Sequence, residues 1–338
     1  MRGVRTLERS IAGVALLLAV LAPALFSEYT VDQLMTDSLI LGIAAMSLVF
    51  LASYGGMVSL AQTALFGIAG FVVGNLTTTQ TKGLVLGYDP WVGILPAIAI
   101  AVAIGLVYGG LASRSTGIYF LMITLTYGVI ANLTFSQVEK ISGFGGISCI
   151  VPPSVIGTTD AHHFRLYYVA LALAILLYLL VRYLIRTPFG LALQGIRDEP
   201  VRMSSLGYSV VLHRTLAFTF GAFVASIAGV LFVWWNGHVD PQTIGLQSTI
   251  NLLIIAVIGG LRRIEGAFVG AFAYVFINDR LVSTDFSLGG FTFGTFNSLI
   301  GLVFLVIVLL SPDGLLGLWE RGIGLLRRRP AVAAAAGD

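Results

Sequence analysis

A polar triplet, Ser59, Gln62 and Thr63, lies inside an apolar, glycine-rich stretch that reads YGGMVSLAQTALFGIAGFVVGN (54–75). An uncompensated hydroxyl or amide is costly in hydrocarbon, so such groups persist where they meet a neighbouring helix, a solute or water. If residues 58–78 form one helix, the three side chains share a face at i, i+3 and i+4. This pattern predicts a pathway between helices or contacts with a bound substrate. The alternative is that Ser and Thr bond their own helix backbone.

A second polar stripe lies in the apolar run at 116–136. Thr124 and Asn132 are eight residues apart and share a helical face, and Thr126 lies beside them. We interpret these three residues as further contacts for the same solute. Hydrogen bonding between helices is the alternative reading of the same pattern.

Glycines on either side of the triplet predict how the backbone is arranged around it. Gly55 and Gly56 precede the triplet and predict a turn or a helix break, because glycine adopts conformations closed to other residues. Gly70 and Gly74 form a G-x-x-x-G pair, which is typical of close helix packing in membranes.

The composition indicates a membrane protein. Of the 338 residues 57% are hydrophobic and only 10% are charged, with mean hydropathy +0.95, whereas about a quarter of a soluble domain is charged. The basic MRGVRTLERS start is interpreted as leading into a first span that stays, rather than into a cleaved signal peptide. The single cysteine, Cys149, rules out an internal disulfide, and His162-His163 has no second ligand pair, so no metal site is predicted.

The hydrophobic runs predict an all-α integral membrane protein with about ten transmembrane helices, some of them broken or re-entrant. The runs cover about 11–27, 37–53, 58–78, 90–112, 116–136, 166–185, 211–235, 247–260, 264–280 and 294–311. The pair 247–260 and 264–280 is short enough to form two half-spans that meet at Leu261-Arg262-Arg263.

The distribution of charge predicts the orientation. Fifteen of the 19 basic residues fall at the span ends that are cytoplasmic if both termini are inside, as the positive-inside rule requires. No Asp, Glu, Lys or Arg is predicted at mid-membrane, which disfavours an ion-coupled carrier that uses a buried ionisable group.

The longest predicted inside loop, 182–214, is patterned rather than low in complexity. Thr187-Pro188 predicts a helix start, and Val201 to Leu206 predicts a second short helix that ends at Gly207. The loop is either a solvated connector along the membrane surface or a docking element for a cytoplasmic partner.

Within this loop, RTPFGLALQGIRDEPVRMSSLGYSV resembles the coupling segment of branched-chain amino-acid ABC transporter permeases. Four further pieces resemble the family's motifs in the same order. They read YGGMVSLAQTALFGIAGF, GIYFLMITLTYGVI, INLLIIAVIGGLRRIEGAFVGA and SPDGLLGLWER. The GIYFLMITL and GIRDEP pieces favour the M-type of the two paired permeases.

The resemblance implies one permease domain over 1–338, with a coupling segment at about 186–210 and a tail at about 321–338. It also implies that this segment transmits nucleotide-driven motion from partner ATPases. The coupling residues it implies are Gly195, Ile196, Arg197, Asp198, Glu199, Ser204, Ser205 and Gly207.

The implied partners are a second permease, as a heterodimer, two cytoplasmic ATPase subunits, an extracytoplasmic substrate-binding protein and membrane lipids, with no nucleic acid. The chain has no G-x-x-x-x-G-K-[ST] loop, so ATP and Mg would be held by partner subunits and no cofactor by this chain. The implied location is the bacterial inner membrane, with multiple passes and both termini in the cytoplasm.

The cargo stays open, because Gln62-Thr63 stands where the family often has Gly-His. Branched-chain or related amino acids are the leading expectation, and urea, short amides or another small organic solute are the alternative. An ion-coupled secondary transporter is a more distant alternative. A membrane-embedded enzyme is disfavoured, because the sequence shows no clustered His, Asp or Cys.

Overall fold

The computed structural model describes most of the apolar runs. The described residues are 19–23, 27, 29–78, 87–143, 145–150, 152–153, 163–282, 287–288, 291–292, 301, 305, 314–315 and 317. The predicted spans at 11–27 and 294–311, the His162 half of the histidine pair and the tail at 321–338 lie mostly or wholly outside them.

Helices form nearly all of the described secondary structure, as the composition predicts. The long helices are α1 (Thr30–Gly55, π-helical over Thr30–Thr36), α2 (Gln62–Thr77), α3 (Pro90–Ala112), α4 (Ile118–Gln137), α6 (His163–Arg186), α9 (Val210–Asn236), α10 (Leu246–Gly259) and α11 (Ile264–Val282). The short helices are α5 (Glu139–Ser142), α7 (Pro188–Asp198), α8 (Pro200–Ser205) and a 3-10 turn, Pro241–Ile244.

Two pairs of very short strands accompany the helices. β1 (Ile147–Ser148) pairs antiparallel with β2 (His238–Val239), with Ile147 opposite Val239. β3 (Ser287–Leu288) pairs antiparallel with β4 (Phe291–Thr292). The first pair joins the loop after α5 to the end of α9.

Among the described residues, five helices are long and apolar enough to cross a membrane: α1, α3, α4, α6 and α9. The apolar α2 and α10 are shorter, with 16 and 14 residues. At about 1.5 Å per residue α10 is about 21 Å long, less than the roughly 30 Å hydrocarbon core. The structure thus shows a helical membrane protein but does not establish the predicted count of about ten spans.

The core of the bundle is built from α1, α2 and α9. In the most apolar stretch of α1 78% of the residues are buried, and in α9 67%, against 28% in each of α3, α4 and α6. The three outer helices expose large apolar side chains such as Leu95, Tyr119 and Leu176, as expected where lipid or another membrane subunit covers them.

Glycines allow the central helices to approach closely. A Cβ at Gly229 of α9 would collide with the carbonyl of Phe66 in α2. A Cβ at Gly259 in α10 would collide with the carbonyl of Gly266 in α11, so these two helices form a tight hairpin across residues 260–263. These glycines thus allow α9 to pack closely on α2 and α10 to pack closely on α11.

Candidate functional site

The chain is not helical between α1 and α2. Gly56 follows α1 in the left-handed conformation (φ 63°), and α2 begins only at Gln62. We call residues 56–61 the helix break. Ser59, Leu60 and Ala61 within it are buried in the bundle. The break confirms the reading of Gly55-Gly56, because glycine tolerates a positive φ that other residues adopt rarely.

Two predicted pathway residues bond the backbone of the break. The amide of Leu60 donates to Thr124 Oγ1 of α4 at 3.2 Å, and the amide of Ala61 donates to Ser59 Oγ at 3.3 Å. Unpaired backbone groups inside a membrane protein are costly, so these hydroxyls stabilise the non-helical conformation. Ser59 and Thr124 therefore have a structural role in this conformation, whatever contact they make with a solute.

The side chain of Gln62 has a different environment. It is only 1% exposed, and neither its amide nitrogen nor its amide oxygen has a hydrogen-bond partner among the described residues. A Cβ at Gly221 of α9 would lie 3.5 Å from Gln62 Nε2, so the amide lies against the glycine face of α9. Buried polar groups are normally paired, which makes this amide a candidate contact for a solute.

Thr63 lines a cavity of about 130 Å³ between α1, α2, α9, α10 and α11. The lining is mostly apolar, and its polar members are Thr63, Thr243, Ser248, Asn251 and Tyr274. A mainly apolar cavity with a few polar groups is typical of sites for small organic molecules.

The prediction that Ser59, Gln62 and Thr63 share one helical face is wrong. Because α2 starts at Gln62, Ser59 lies in the helix break. Instead, Ser59 bonds the backbone of the break, the Gln62 amide lies against α9, and Thr63 lines the cavity. Helical spacing applies only inside a helix, and the glycine pair ends the helix before this triplet.

The other two residues of the α4 stripe lie away from the break. Thr126 is exposed and donates to the carbonyl of Met122 in its own helix at 3.0 Å. Asn132 Nδ2 donates to the carbonyl of Pro241 at 2.6 Å. The structure thus brings Thr124 to the break but places Thr126 and Asn132 elsewhere, with protein acceptors of their own.

Gly70 and Gly74 lie on the buried side of α2. A Cβ at Gly70 would lie 2.6 Å from Val233 Cγ2 of α9, and one at Gly74 would lie 3.0 Å from Ile150 Cδ1. Both distances are shorter than ordinary carbon contacts, so any side chain would push the neighbouring elements apart. This geometry is that of close packing, as their G-x-x-x-G spacing predicts.

The coupling segment, residues 186–210, folds as two short helices, α7 and α8. Thr187 caps α7, since its Oγ1 accepts from the amide of Gly190 at 3.4 Å, and Pro188 is the first helical residue. α8 ends at Ser205, and Gly207 follows with φ 91°. These boundaries confirm the predicted start at Thr187-Pro188 and the stop before Gly207.

The predicted coupling residues fall into two groups by exposure. Ile196 is fully buried, and a Cβ at Gly195 would lie 2.9 Å from Met203 Sδ, so both hold α7 in place. The exposed members are Arg197, Asp198, Glu199, Ser204, Ser205 and Gly207. This exposed group forms a surface that a partner can reach.

Arg197 joins the coupling segment to the helix break. Its Nη1 donates to the carbonyl of Ser53 in the last turn of α1, and its stem packs on Gly56, where a Cβ would lie 2.6 Å from Arg197 Cγ. A cation at a helix C-terminus also interacts favourably with the helix dipole. Nothing in the sequence spacing revealed this contact, because it joins residues 144 positions apart.

Two further interactions extend this junction. Arg197 Nε bonds Asp198 Oδ1 at 2.8 Å, and this hydrogen bond lowers the pKa of the Asp198 carboxyl below its usual value. On the other side, the Ser53 hydroxyl donates to the carbonyl of Leu261 between α10 and α11. Ser53 therefore contacts both the coupling segment and the α10–α11 turn.

Within the described part of the chain, no group of three or more His, Cys, Asp or Glu side chains is placed to hold a metal ion. The polar atoms at the break are hydroxyls and amides, which suit hydrogen bonding to a solute rather than acid–base chemistry.

Comparison with known proteins identifies the family. The family model described as "Branched-chain amino acid transport system / permease component" matches residues 30–311, most of the chain. The chain belongs to this family. It is therefore a membrane permease subunit of the ABC transporter type and not an enzyme.

The relatives include permeases that are named for different substrates. The chain is 28% identical over 284 residues to the high-affinity branched-chain amino acid transport system permease protein LivM of Escherichia coli K12. It is 25% identical over 294 residues to the probable LivM of Methanocaldococcus jannaschii. It is also 29% identical over 291 residues to the autoinducer 2 import system permease protein LsrC of Enterobacter sp. strain 638.

These matches differ in coverage. The match to the E. coli protein covers 76% of this chain and 64% of that protein. The match to the M. jannaschii protein covers 81% of this chain and 84% of that protein. The match to LsrC covers 82% of this chain and 79% of LsrC. The match thus covers less than two thirds of the E. coli relative. No solved structure matches the chain.

Proposed function

We propose that this permease imports branched-chain or related amino acids, delivered by an extracytoplasmic binding protein and driven by ATP hydrolysis on partner subunits. The contact between Arg197 and the end of α1 at Ser53 and Gly56 carries the proposal. Through this contact, a movement of the coupling segment reaches the helix break and its buried polar groups. Such rigid displacement of one element against another is the usual way to alternate access.

The proposal places the chain in the bacterial inner membrane with both termini in the cytoplasm. Two cytoplasmic ATPase subunits, which hold ATP and Mg, dock on the exposed part of the coupling segment. A second permease, different from this chain, covers exposed apolar helix faces. The basic residues at the proposed cytoplasmic ends support this orientation.

Within the pathway, we assign Ser59 and Thr124 to shaping the break and Gln62 and Thr63 to solute contact. This division rests on their bonding: the first two bond the backbone of the break, while the Gln62 amide has no partner among the described residues. The mostly apolar cavity beside Thr63 suits an aliphatic side chain.

The second candidate is the same importer with a different cargo, such as urea, a short amide or another small organic solute. The unpaired Gln62 amide favours it, since an amide can bond a neutral polar solute through both atoms. The likeness to a permease named for autoinducer 2 import supports a range of cargoes in the family.

The coupling proposal is tested with Arg197→Ala in the complete importer, reconstituted in vesicles. ATP-dependent uptake of L-leucine should fall about tenfold or more, because the variant loses a charge-assisted contact to the end of α1. ATP hydrolysis should continue, so the ratio of solute transported to ATP consumed falls.

Arg114→Ala is the control, since Arg114 is an exposed arginine in the turn after α3, outside the coupling segment, and it should leave coupling unchanged. Full coupling in Arg197→Ala would show that the junction does not transmit motion. Uptake that survives ATP depletion while an ion gradient is held would instead support a secondary transporter.

A further inference from the structure

The N-terminus of α2 lies inside the bundle without a side-chain cap. Its N-cap residue is Ala61, whose side chain cannot accept a hydrogen bond, and no side-chain capping bond forms there. The first amides of a helix have no partner within the helix, and they carry the positive end of its dipole. Such an end favours an anionic group, but by itself it does not mark a site.

The Gln62 side chain is an independent sign of a ligand at the same place. It belongs to the first residue of α2, is 1% exposed, and has no partner for either amide atom among the described residues. Leaving a buried donor and acceptor unpaired costs free energy that a bound polar group would recover. The amide NH₂ can donate to an anion together with the backbone amides of the first turn.

A third polar group lies on the face of α9 that meets Gln62. Arg214 is 8% exposed, and its Nε has no hydrogen-bond partner among the described residues. In the part of the chain that the structure describes, no acidic side chain forms an ion pair with it. A buried nitrogen of a charged guanidinium without a partner is costly, so an anion is a suitable counterpart for this end of Arg214.

The helical register relates Arg214 to Gln62. Arg214 precedes Gly221 by seven residues, so the two share a face of α9 and are about 10.5 Å apart along its axis. Gly221 is the residue against which the Gln62 amide packs. Arg214 therefore lies two turns from that contact, towards the end of α9 that joins the coupling segment.

We propose that the N-terminus of α2 and the Gln62 amide bind the carboxylate of the transported solute, and that Arg214 receives this carboxylate on its way to the cytoplasm. This inference rests on the proposed importer function and narrows its cargo to carboxylate-bearing solutes such as amino acids. If this inference holds, urea and short amides, which have no carboxylate, are not cargoes of the importer. A guanidinium suits the second position because its planar donors bind both carboxylate oxygens.

The test uses the complete importer in vesicles, with compounds trapped on the cytoplasmic side, where no binding protein is needed to reach the pathway. Internal L-leucine and internal L-leucinamide, which lacks the carboxylate, are compared as inhibitors of ATP-driven L-leucine uptake. In the unaltered importer the acid should inhibit at a concentration about tenfold or more below that of the amide.

Three variants test whether Arg214 is responsible for the difference between the acid and the amide. Arg214→Gln should reduce the difference between acid and amide to about threefold or less, and Arg214→Lys should keep part of it, since it retains the charge. Arg114→Gln is the matched control. Arg114 is an exposed arginine in the turn after α3 and follows Ser113, which bonds Thr215 of α9. This variant should leave the difference between acid and amide unchanged. The difference should also persist in phosphatidylcholine vesicles, which carry no net anionic headgroup.

Equal or absent inhibition by the acid and the amide would overturn the proposal, as would an unchanged difference in Arg214→Gln. A difference that requires anionic lipid would assign Arg214 to a headgroup and overturn it too. If the proposed importer function itself is wrong, the unaltered assembly will show no ATP-driven leucine uptake at all. That result is distinct from a failure of the carboxylate proposal, in which uptake remains but acid and amide inhibit equally.

Discussion

Replacing Gln62 by Met should stabilise the protein while weakening transport. Met has a similar length and fills apolar space without needing hydrogen bonds. The native side chain buries a donor and an acceptor that have no partner among the described residues. An unsatisfied buried polar group costs about 1–3 kcal/mol, so removing this amide should raise the free energy of unfolding by about that amount when no solute is bound.

Transport should respond in the opposite direction. If Gln62 contacts the solute, Gln62→Met loses that contact, and uptake of L-leucine at limiting concentration should fall about tenfold or more. A rise in stability combined with a fall in uptake separates a solute contact from a structural role, because loss of a structural residue lowers both.

Thermal unfolding of the purified importer, followed by tryptophan fluorescence with and without L-leucine, measures the effect. Gln194→Met is the matched control, since Gln194 Nε2 donates to the carbonyls of Ile185 and Gly190 at 3.2 and 3.1 Å. Loss of those bonds should lower the midpoint temperature of the control. If Gln62→Met also unfolds at a lower temperature than the native protein, the Gln62 amide is paired and the reasoning fails.

Two other predictions concern the packing around the break. Thr124→Val should destabilise the protein by about 1 kcal/mol in thermal unfolding, because the buried amide of Leu60 loses its acceptor; an unchanged midpoint would show that another acceptor takes its place. Gly229→Ala should destabilise it by about 1–3 kcal/mol or prevent assembly, since its methyl group would collide with a backbone carbonyl of α2. Gly110→Ala, where the nearest atom outside its own helix is 4.0 Å away, is the control and should be neutral or mildly stabilising; equal losses in both would argue against the tight packing of α9 on α2.

Much of the helical framework is predictable from the sequence. Hydropathy predicts α3 at its observed bounds, because an apolar run inside a membrane must pair its own backbone groups and therefore forms a helix. The short helix at Thr187-Pro188 is predictable as well, since a capping hydroxyl followed by proline is a local signal. The glycine pair at 55–56 likewise marks where α1 ends.

The arrangement of the site is less predictable, because it depends on contacts between distant residues. The spacing of Ser59 and Gln62 indicates a shared face only if one helix includes both residues. Gly56 adopts the left-handed conformation and α2 begins only at Gln62, so Ser59 lies outside that helix. The bond from Leu60 to Thr124 and the contact of Arg197 with α1 depend on how separate helices pack. No local pattern encodes such packing.

The junction at the end of α1 has an evolutionary consequence. Arg197 bonds the backbone carbonyl of position 53 rather than its side chain, so substitutions of Ser53 leave that acceptor in place. Position 56 has no such freedom, because any side chain there would meet the stem of Arg197 and require a strained positive φ. Homologues that keep this mechanical link should therefore retain the glycine at 56 together with the arginine at 197, whereas the hydroxyl at position 53 is needed only for its bond to Leu261.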